Sequence, residues 1–232
     1  MLPWIAHLYT GFGAVAALAA TLAVMRSDYR AAFLWLGLQI FIDATDGVLA
    51  RALRVKELLP QFDGGKLDDL IDYLTYVFIP VLLALHAGLL PPSIGIVTGA
   101  VVLLASGFGF SQAAAKVQTS DYFFTGFPSY WNLVVAYLYL LQLSPAICAA
   151  VLLGFAVLVF VPLRYVYPSR TKTLRMPTNV LGAAWAATLA WLVWDLPTRH
   201  DTVTLITLLY PIYYFVLSFW LDRQSRSIVA AS

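Results

Sequence analysis

IFIDATDGVLAR (residues 40–51) and GGKLDDLIDYL (residues 64–74) place aspartates inside two long apolar runs. These runs, near 31–50 and 67–90, are each long enough to form a membrane-spanning helix. A carboxylate near the centre of a bilayer costs roughly a few kcal/mol even on the most lenient insertion scale, so intramembrane acids generally have a function. The two segments therefore predict a membrane protein with a polar site built between consecutive helices.

The composition agrees with this class of protein. Of the 232 residues, 61% are hydrophobic and 11% are charged, whereas soluble domains carry about 25% charged residues. The net charge of +2 gives no indication of nucleic-acid binding. Because there is no internal repeat and no long polar linker, we expect residues 1–232 to form a single membrane-embedded domain.

Six further apolar runs extend the pattern and predict an all-α integral membrane protein, a polytopic bundle of about eight transmembrane helices. The run at 129–143 is the shortest of them. The first run lacks a basic flank and a small-residue cleavage site, so we expect it to be retained rather than removed as a signal peptide. The predicted spans lie near residues 7–25, 31–50, 67–90, 93–114, 129–143, 145–166, 178–195 and 201–221.

The distribution of Lys and Arg predicts the orientation in the membrane. With a cytoplasmic N-terminus, 11 of the 14 basic residues fall in cytoplasmic connections. The other three are Arg26, Arg30 and Arg199. An even number of spans then brings the C-terminus to the cytoplasmic side as well.

Seven of the 12 acidic residues lie between positions 43 and 72, and their spacing places them on two helix faces. The first face, at i, i+3, i+4 and i+7, carries Asp43, Asp46, Gly47 and Ala50. The second, at i, i+4 and i+8, carries Gly64, Asp68 and Asp72. Because a short connection joins the two helices, four carboxylates can converge, and the small residues leave room for a ligand against the backbone.

Converging carboxylates repel one another unless a cation neutralises them. Oxygen ligands alone suit Mg²⁺ or Mn²⁺, and paired ions of this kind are a recurrent device for displacement at phosphorus. The alternatives are transport of a cation, a proton relay and helix capping. Capping is what we expect of Asp63, which precedes Gly-Gly at a helix start.

The pattern Asp43-x-x-Asp46-Gly47-x-x-Ala50-Arg51, followed by Gly64-x-x-x-Asp68-x-x-x-Asp72, resembles the signature of the CDP-alcohol phosphotransferase family. One difference is residues 52–63, a longer connection between the two half-motifs than the family pattern usually has. The resemblance implies a membrane enzyme that transfers a phosphoryl-linked group from a CDP-alcohol to a second alcohol.

The resemblance also implies roles for individual residues. Two Mn²⁺ or Mg²⁺ ions would be held by Asp43, Asp46, Asp68 and Asp72. Asp72 would in addition be the general base that accepts the proton of the acceptor alcohol. The nucleotide-lipid donor would contact Asp46, Gly47, Ala50, Arg51, Gly64, Arg164 and Arg170. For the last two arginines, a signal for membrane topology is the alternative interpretation.

Over its whole length the chain is most similar to bacterial members of the family that use CDP-diacylglycerol and choline and release CMP. This similarity rests on HLYTG (7–11), DYFFTGFPSYWN (121–132) and FVPLRYVYPSR (160–170). Proteins hold quaternary ammonium groups with aromatic faces. The residues expected at the choline site are Phe127, Tyr130, Trp131 and Asn132. An aromatic belt at the membrane interface is the alternative interpretation of these rings.

The resemblance further implies a bacterial cytoplasmic (inner) membrane location with the site on the cytoplasmic side, membrane lipids as partners, and a homodimer as one option. Serine or inositol as acceptor, and transfer from CDP-choline to diacylglycerol, are the alternatives within the enzyme class. A cation or proton transporter is the alternative from another class. Transporters tend to place acids near the midplane in both of two repeats, whereas here the acids gather at one end.

Overall fold

The computed structural model describes residues 2–112, 116–117, 123–166 and 174–231, and it is mainly helical. A π-helical segment, Tyr73–Phe78, joins α4 to α5 without a break. The helices in the described residues are α1 (Leu2–Met25), α2 (Tyr29–Ala52), α3 (Val55–Leu58), α4 (Gly64–Asp72), α5 (Ile79–His86), α6 (Gly95–Ser111), α7 (Trp131–Leu141), α8 (Pro145–Phe160), α9 (Arg175–Trp194), α10 (Asp201–Thr207) and α11 (Leu209–Ala231).

Within the part of the chain that the structure describes, five helical stretches are long and apolar enough to cross a membrane, which confirms a multi-pass membrane protein. They are Leu2–Met25, Tyr29–Ala52, Gly64–His86, Arg175–Trp194 and Asp201–Arg223. The other three predicted spans correspond to the shorter apolar helices α6, α7 and α8. A spanning helix needs about 20 residues, so the full number of eight stays a prediction.

Two of the predicted spans end earlier than expected. Helix α6 stops at Ser111 instead of 114, and α8 stops at Phe160 instead of 166. Pro162, two residues after α8, cannot continue a helix because it lacks a backbone N–H. Beyond these ends, the residues that the structure covers form three short antiparallel strands, β1 (Lys116–Val117), β2 (Phe123–Thr125) and β3 (Arg164–Val166), in the order β1-β2-β3.

Helix α1 packs along α2 and also against α4, and this packing positions the acidic segment. The face of α1 that lies in the core is made of small residues, Ala16, Ala17, Ala20 and Ala23. Small side chains allow two helix backbones to approach closely, which is the usual basis of helix association in membranes. The start of α1, the end of α2 and the start of α4 therefore meet at the same end of the bundle.

At Gly13, α1 packs directly against side chains of both α2 and α4. A Cβ atom at Gly13 would lie 2.7 Å from Ile71 Cγ2 and would also collide with the side-chain oxygen of Gln39. Ile71 and Gln39 are both buried, so neither side chain can move aside freely. The absence of a side chain at Gly13 is therefore required by the packing.

We expect Gly13→Ala to destabilise the protein because the added methyl group overpacks this three-helix contact. The midpoint of thermal unfolding in detergent should fall by roughly 2–10 °C, as for other overpacked cores. Gly11→Ala is the matched control, since a Cβ at Gly11 meets no atom within 4 Å. Equal unfolding midpoints for the two variants would contradict the assigned role of Gly13.

Candidate active site

Three of the four predicted aspartates meet at one point between α2 and the α4 segment. Asp43, Asp68 and Asp72 each offer one carboxylate oxygen, and the three oxygens lie within 4.8 Å of one another. At that separation each pair of charges repels by about 3–4 kcal/mol for an effective dielectric constant of about 20. Half-buried carboxylate oxygens this close form a donor set that suits a hard divalent cation.

The fourth aspartate, Asp46, does not belong to this group of three in the structure. It is buried, with 9% of its surface exposed, and its Oδ2 accepts a hydrogen bond of 2.8 Å from the Thr10 hydroxyl on α1. One turn of helix separates it from Asp43, as its spacing predicts. Its role as a metal ligand stays a prediction.

Asp63 lies at the start of α4 and confirms the predicted cap. Its Oδ1 accepts a hydrogen bond of 3.0 Å from the backbone N–H of Lys66. A side-chain acceptor at this position satisfies a backbone donor that the helix itself leaves without a partner. The cap fixes where α4 begins, and therefore the positions of Asp68 and Asp72 along it.

Tyr76 is a further residue of the site, which the sequence did not predict. Its hydroxyl donates a hydrogen bond of 2.7 Å to Asp43 Oδ2, and its ring is buried. It lies in the π-helical segment that follows Asp72, and such irregular turns often occur at functional sites. Its position could have indicated this role, since Tyr76 follows Asp72 by four residues and continues the helix face of Gly64, Asp68 and Asp72.

Helix α1 supplies a second set of contacts to the motif. The Tyr9 hydroxyl lies 2.7 Å from Thr45 Oγ1, next to the bond between Thr10 and Asp46. Tyr9 and Thr10 belong to the stretch 7–11, which resembles the family but for which the sequence predicts no individual side-chain contacts. They contact the motif helix at Thr45 and Asp46, whereas Tyr76 contacts it at Asp43.

The small residues expected at the nucleotide have defined neighbours. A Cβ at Gly64 would lie 2.6 Å from Cε1 of His7, so the His7 imidazole fills the space beside this glycine. At Gly47 a Cβ would lie 3.2 Å from the Arg51 guanidinium. Ala50 is partly exposed and Arg51 is exposed. Contacts of these residues with a nucleotide stay predictions.

Of the two arginines expected at the donor, the structure describes Arg164. Arg164, in β3, places its Nε 3.7 Å from Oδ1 of Asp222 on α11. Asp222 is buried, so the pair ties the start of β3 to the last long helix. Arg170 lies outside the described residues. Binding of the donor by either arginine stays a prediction.

Three of the four residues expected at the choline site are buried in the structure. Phe127, Trp131 and Asn132 are 5%, 0% and 3% exposed. The indole N–H of Trp131 donates a hydrogen bond of 2.7 Å to Ser106 Oγ, and its ring packs against Phe127. These contacts give Phe127 and Trp131 a place in the hydrophobic core, and their contact with choline stays a prediction.

Tyr130 is the fourth residue, and it lies next to the acidic cluster. Its ring centroid is 6.0 Å from that of Tyr76, and Tyr76 is bonded to Asp43. Tyr130 is also partly exposed. Of the four predicted residues, Tyr130 therefore has the position that best suits contact with an alcohol bound at the carboxylates.

Comparison with known proteins shows where the chain belongs. No family model matches it. It is 40% identical over 190 residues to the phosphatidylcholine synthase of Pseudomonas aeruginosa, covering 82% of this chain and 76% of that protein. It is 34% identical over 224 residues to the phosphatidylcholine synthase of Legionella pneumophila, covering 94% and 87%. For the enzyme of Bradyrhizobium diazoefficiens the identity is 38% over 180 residues, covering 78% and 67%. The similarity extends far beyond the aspartate motif, and the chain belongs to the phosphatidylcholine synthase family.

Proposed function

We propose that this protein is a phosphatidylcholine synthase that converts CDP-diacylglycerol and choline into phosphatidylcholine and CMP. The observation that carries the proposal is the meeting of the Asp43, Asp68 and Asp72 carboxylates within 4.8 Å at one end of a membrane bundle. The similarity to phosphatidylcholine synthases over most of the chain supports the same substrates.

The reaction is a displacement at phosphorus. The choline hydroxyl oxygen attacks the phosphorus that carries the diacylglycerol, and the bond from that phosphorus to the oxygen of CMP breaks. The hydroxyl proton passes to the Asp72 carboxylate, and CMP leaves with the electron pair of the broken bond. A positioned carboxylate base contributes about 10²–10⁴-fold to such a step, since a neutral hydroxyl is a weak nucleophile.

A divalent ion held by Asp43, Asp68 and Asp72, with Asp46 as a further ligand, would neutralise charge on the attacking and leaving oxygens. The protein's own contribution is the orientation of these carboxylates. Tyr76 fixes Asp43 and Thr10 fixes Asp46 through hydrogen bonds from their hydroxyls. Partners of this kind commonly alter metal affinity or activity by about 10–100-fold when they are removed.

Choline fits the surroundings of the cluster better than serine does. Two aromatic rings outside the motif lie at the cluster: Tyr76 bonds to Asp43, and the Tyr130 ring centroid is 6.0 Å from that of Tyr76. A quaternary ammonium is attracted to aromatic faces, whereas the carboxylate of serine would need a cation. Arg164 already has a carboxylate neighbour in Asp222.

We also propose that all eight apolar helices cross a bacterial cytoplasmic membrane, with the acidic cluster at its cytoplasmic face. If all eight helices cross, 11 of the 14 basic residues fall on the side of the cluster, which supports this orientation. Helix α6, with 17 residues, is about 25 Å long, which is close to the thickness of the hydrocarbon core. A homodimer stays a prediction from the family resemblance.

Purified protein supplied with CDP-diacylglycerol should release CMP when choline and Mn²⁺ or Mg²⁺ are present. Choline, serine and inositol are tested separately in labelled form, with the labelled lipid product separated from the free alcohol. We expect choline alone to give a labelled lipid, and a chelator of divalent ions to abolish the reaction. Labelled product from serine or inositol, and none from choline, would refute the assigned acceptor.

Asp43→Asn, Asp68→Asn and Asp72→Asn should each lower the rate of CMP release by at least about 10²-fold, because each removes one charge from the cluster. Asp46→Asn should have a similar effect if it is a metal ligand. Glu57→Gln is the control, since Glu57 is an exposed acid paired with Arg54 in the connecting segment. Near-normal activity in any two of the cluster variants would exclude the metal assignment.

Tyr76→Phe should raise the concentration of metal needed for half-maximal activity by about 10-fold, because it removes the hydrogen bond that orients Asp43. The rate at saturating metal should change less. Tyr73→Phe is matched to it, since the Tyr73 hydroxyl lies in the same π-helical segment and bonds to the Leu103 carbonyl instead. The same metal dependence in both variants would show that Tyr76 does not position Asp43.

A further inference from the structure

A cavity of about 410 Å³ lies beside the motif helices, and it is lined by residues to which the proposed reaction assigns no role. It opens between the start of α1 and the segment that leads into α4. Its walls are almost entirely apolar and are formed by Trp4, Ile5, His7, Leu8, Phe62 and Leu67. We call it the α1–α4 groove.

His7 is the polar residue of this groove. Its ring is largely buried and lies against Gly64. The centroids of the His7 and Phe62 rings are 4.2 Å apart. The buried Nε2 atom has no hydrogen-bond partner among the residues that the structure describes. A buried polar atom without a partner is costly, so a ligand group that bonds to this nitrogen would stabilise the site.

The groove is continuous with a lipid-facing surface. Exposed apolar side chains recur every three or four residues along α1, which places them on one face. They are Ile5 (51% exposed), Leu8 (74%), Phe12 (47%), Val15 (52%) and Leu22 (43%). The opposite face of α1 packs on α2, so in a membrane this stripe meets hydrocarbon. A lipid chain can enter the groove sideways from the bilayer, whereas choline or a nucleotide arrives from water.

The groove also begins close to the acidic cluster. Gly64, which the His7 ring touches, lies one turn before Asp68, about 6 Å along the α4 axis. On the other wall, Thr10 follows His7 by one turn of α1 and donates its hydrogen bond to Asp46. A phosphate at the carboxylates would therefore have its glycerol esters, a few bonds away, beside His7.

We propose that the α1–α4 groove binds the diacylglycerol part of the lipid substrate, with an ester carbonyl next to His7 Nε2 and an acyl chain along Leu8. This assignment rests on the proposed function for the identity of the donor. It makes α1 the helix that connects the reaction centre with the lipid phase. It also explains why the groove is apolar although it lies one helical turn from several acids.

Leu8→Trp tests the acyl-chain part by filling the groove. We expect the KM for a dioleoyl CDP-diacylglycerol to rise about tenfold, since several methylene contacts are lost, and the KM for a dihexanoyl analogue to change little. The KM for choline and inhibition by CMP should not change. Val15→Trp places the same ring on the same stripe two turns away, outside the groove, and should behave like wild type.

His7→Phe and His7→Gln test the ester part. Phenylalanine keeps a ring against Gly64 without a nitrogen, while the glutamine amide can reach the position of Nε2. We expect His7→Phe to raise the KM for both lipids to a similar extent, because both contain esters, and His7→Gln to remain near wild type. Equal effects of the two substitutions would overturn the role of Nε2.

Other outcomes identify a different occupant and refute the proposal. Weaker CMP inhibition in Leu8→Trp would assign the groove to the nucleotide, and a raised choline KM would assign it to the acceptor. A changed oligomeric mass in detergent would assign it to a second copy of the chain.

A binding measurement without choline tests the groove independently of turnover. Dioleoyl CDP-diacylglycerol should raise the midpoint of thermal unfolding of the wild type, and this stabilisation should be lost in Leu8→Trp. If that binding is present but choline turnover is absent in wild type, only the proposed function fails.

Discussion

The repulsion between three carboxylates within 4.8 Å is the constraint on which the rest of this structure depends. The pairs Asp43–Asp68 and Asp43–Asp72 each oppose the approach of α2 and α4 by several times the thermal energy at the edge of a low-dielectric bilayer. Helix packing has to hold the two segments together, and a divalent cation bound between them would compensate the charge. Acids placed this expensively in a membrane protein generally have a function.

Helix α1 is the element that keeps the acidic segments of α2 and α4 in position. Its buried alanines allow it to lie closely along α2, and Gly13 admits Gln39 and Ile71 where the three helices cross. From this position Thr10 reaches Asp46, and His7 covers Gly64. The opposite face of the same helix is apolar and exposed. One helix thus braces the charged site on one side and faces lipid on the other, as an enzyme with a lipid and a water-soluble substrate requires.

Much of the site was predictable because helical periodicity is local. The i, i+4 and i+8 spacing placed Asp68 and Asp72 on one face, and Asp43 faces them across the connection. The cap at Asp63 followed from the residue type before Gly-Gly. The positions of the aromatic residues were not predictable in this way. Trp131 and Phe127 are core residues whose partners lie on α6 and α8. The sequence marks a ring as apolar and large but does not say which helix it will pack against.

The sequence by itself determined the membrane class, the positions of the apolar helices and the two acidic faces, because these depend on composition and on neighbours within one or two helical turns. Only the tertiary structure decided that Asp46 bonds to Thr10 apart from the other three acids, that Tyr76 joins Asp43, and that a groove opens beside His7. Each of these depends on the distance between helices that are far apart in the chain. Close packing of small and large side chains sets that distance, and no local pattern encodes it.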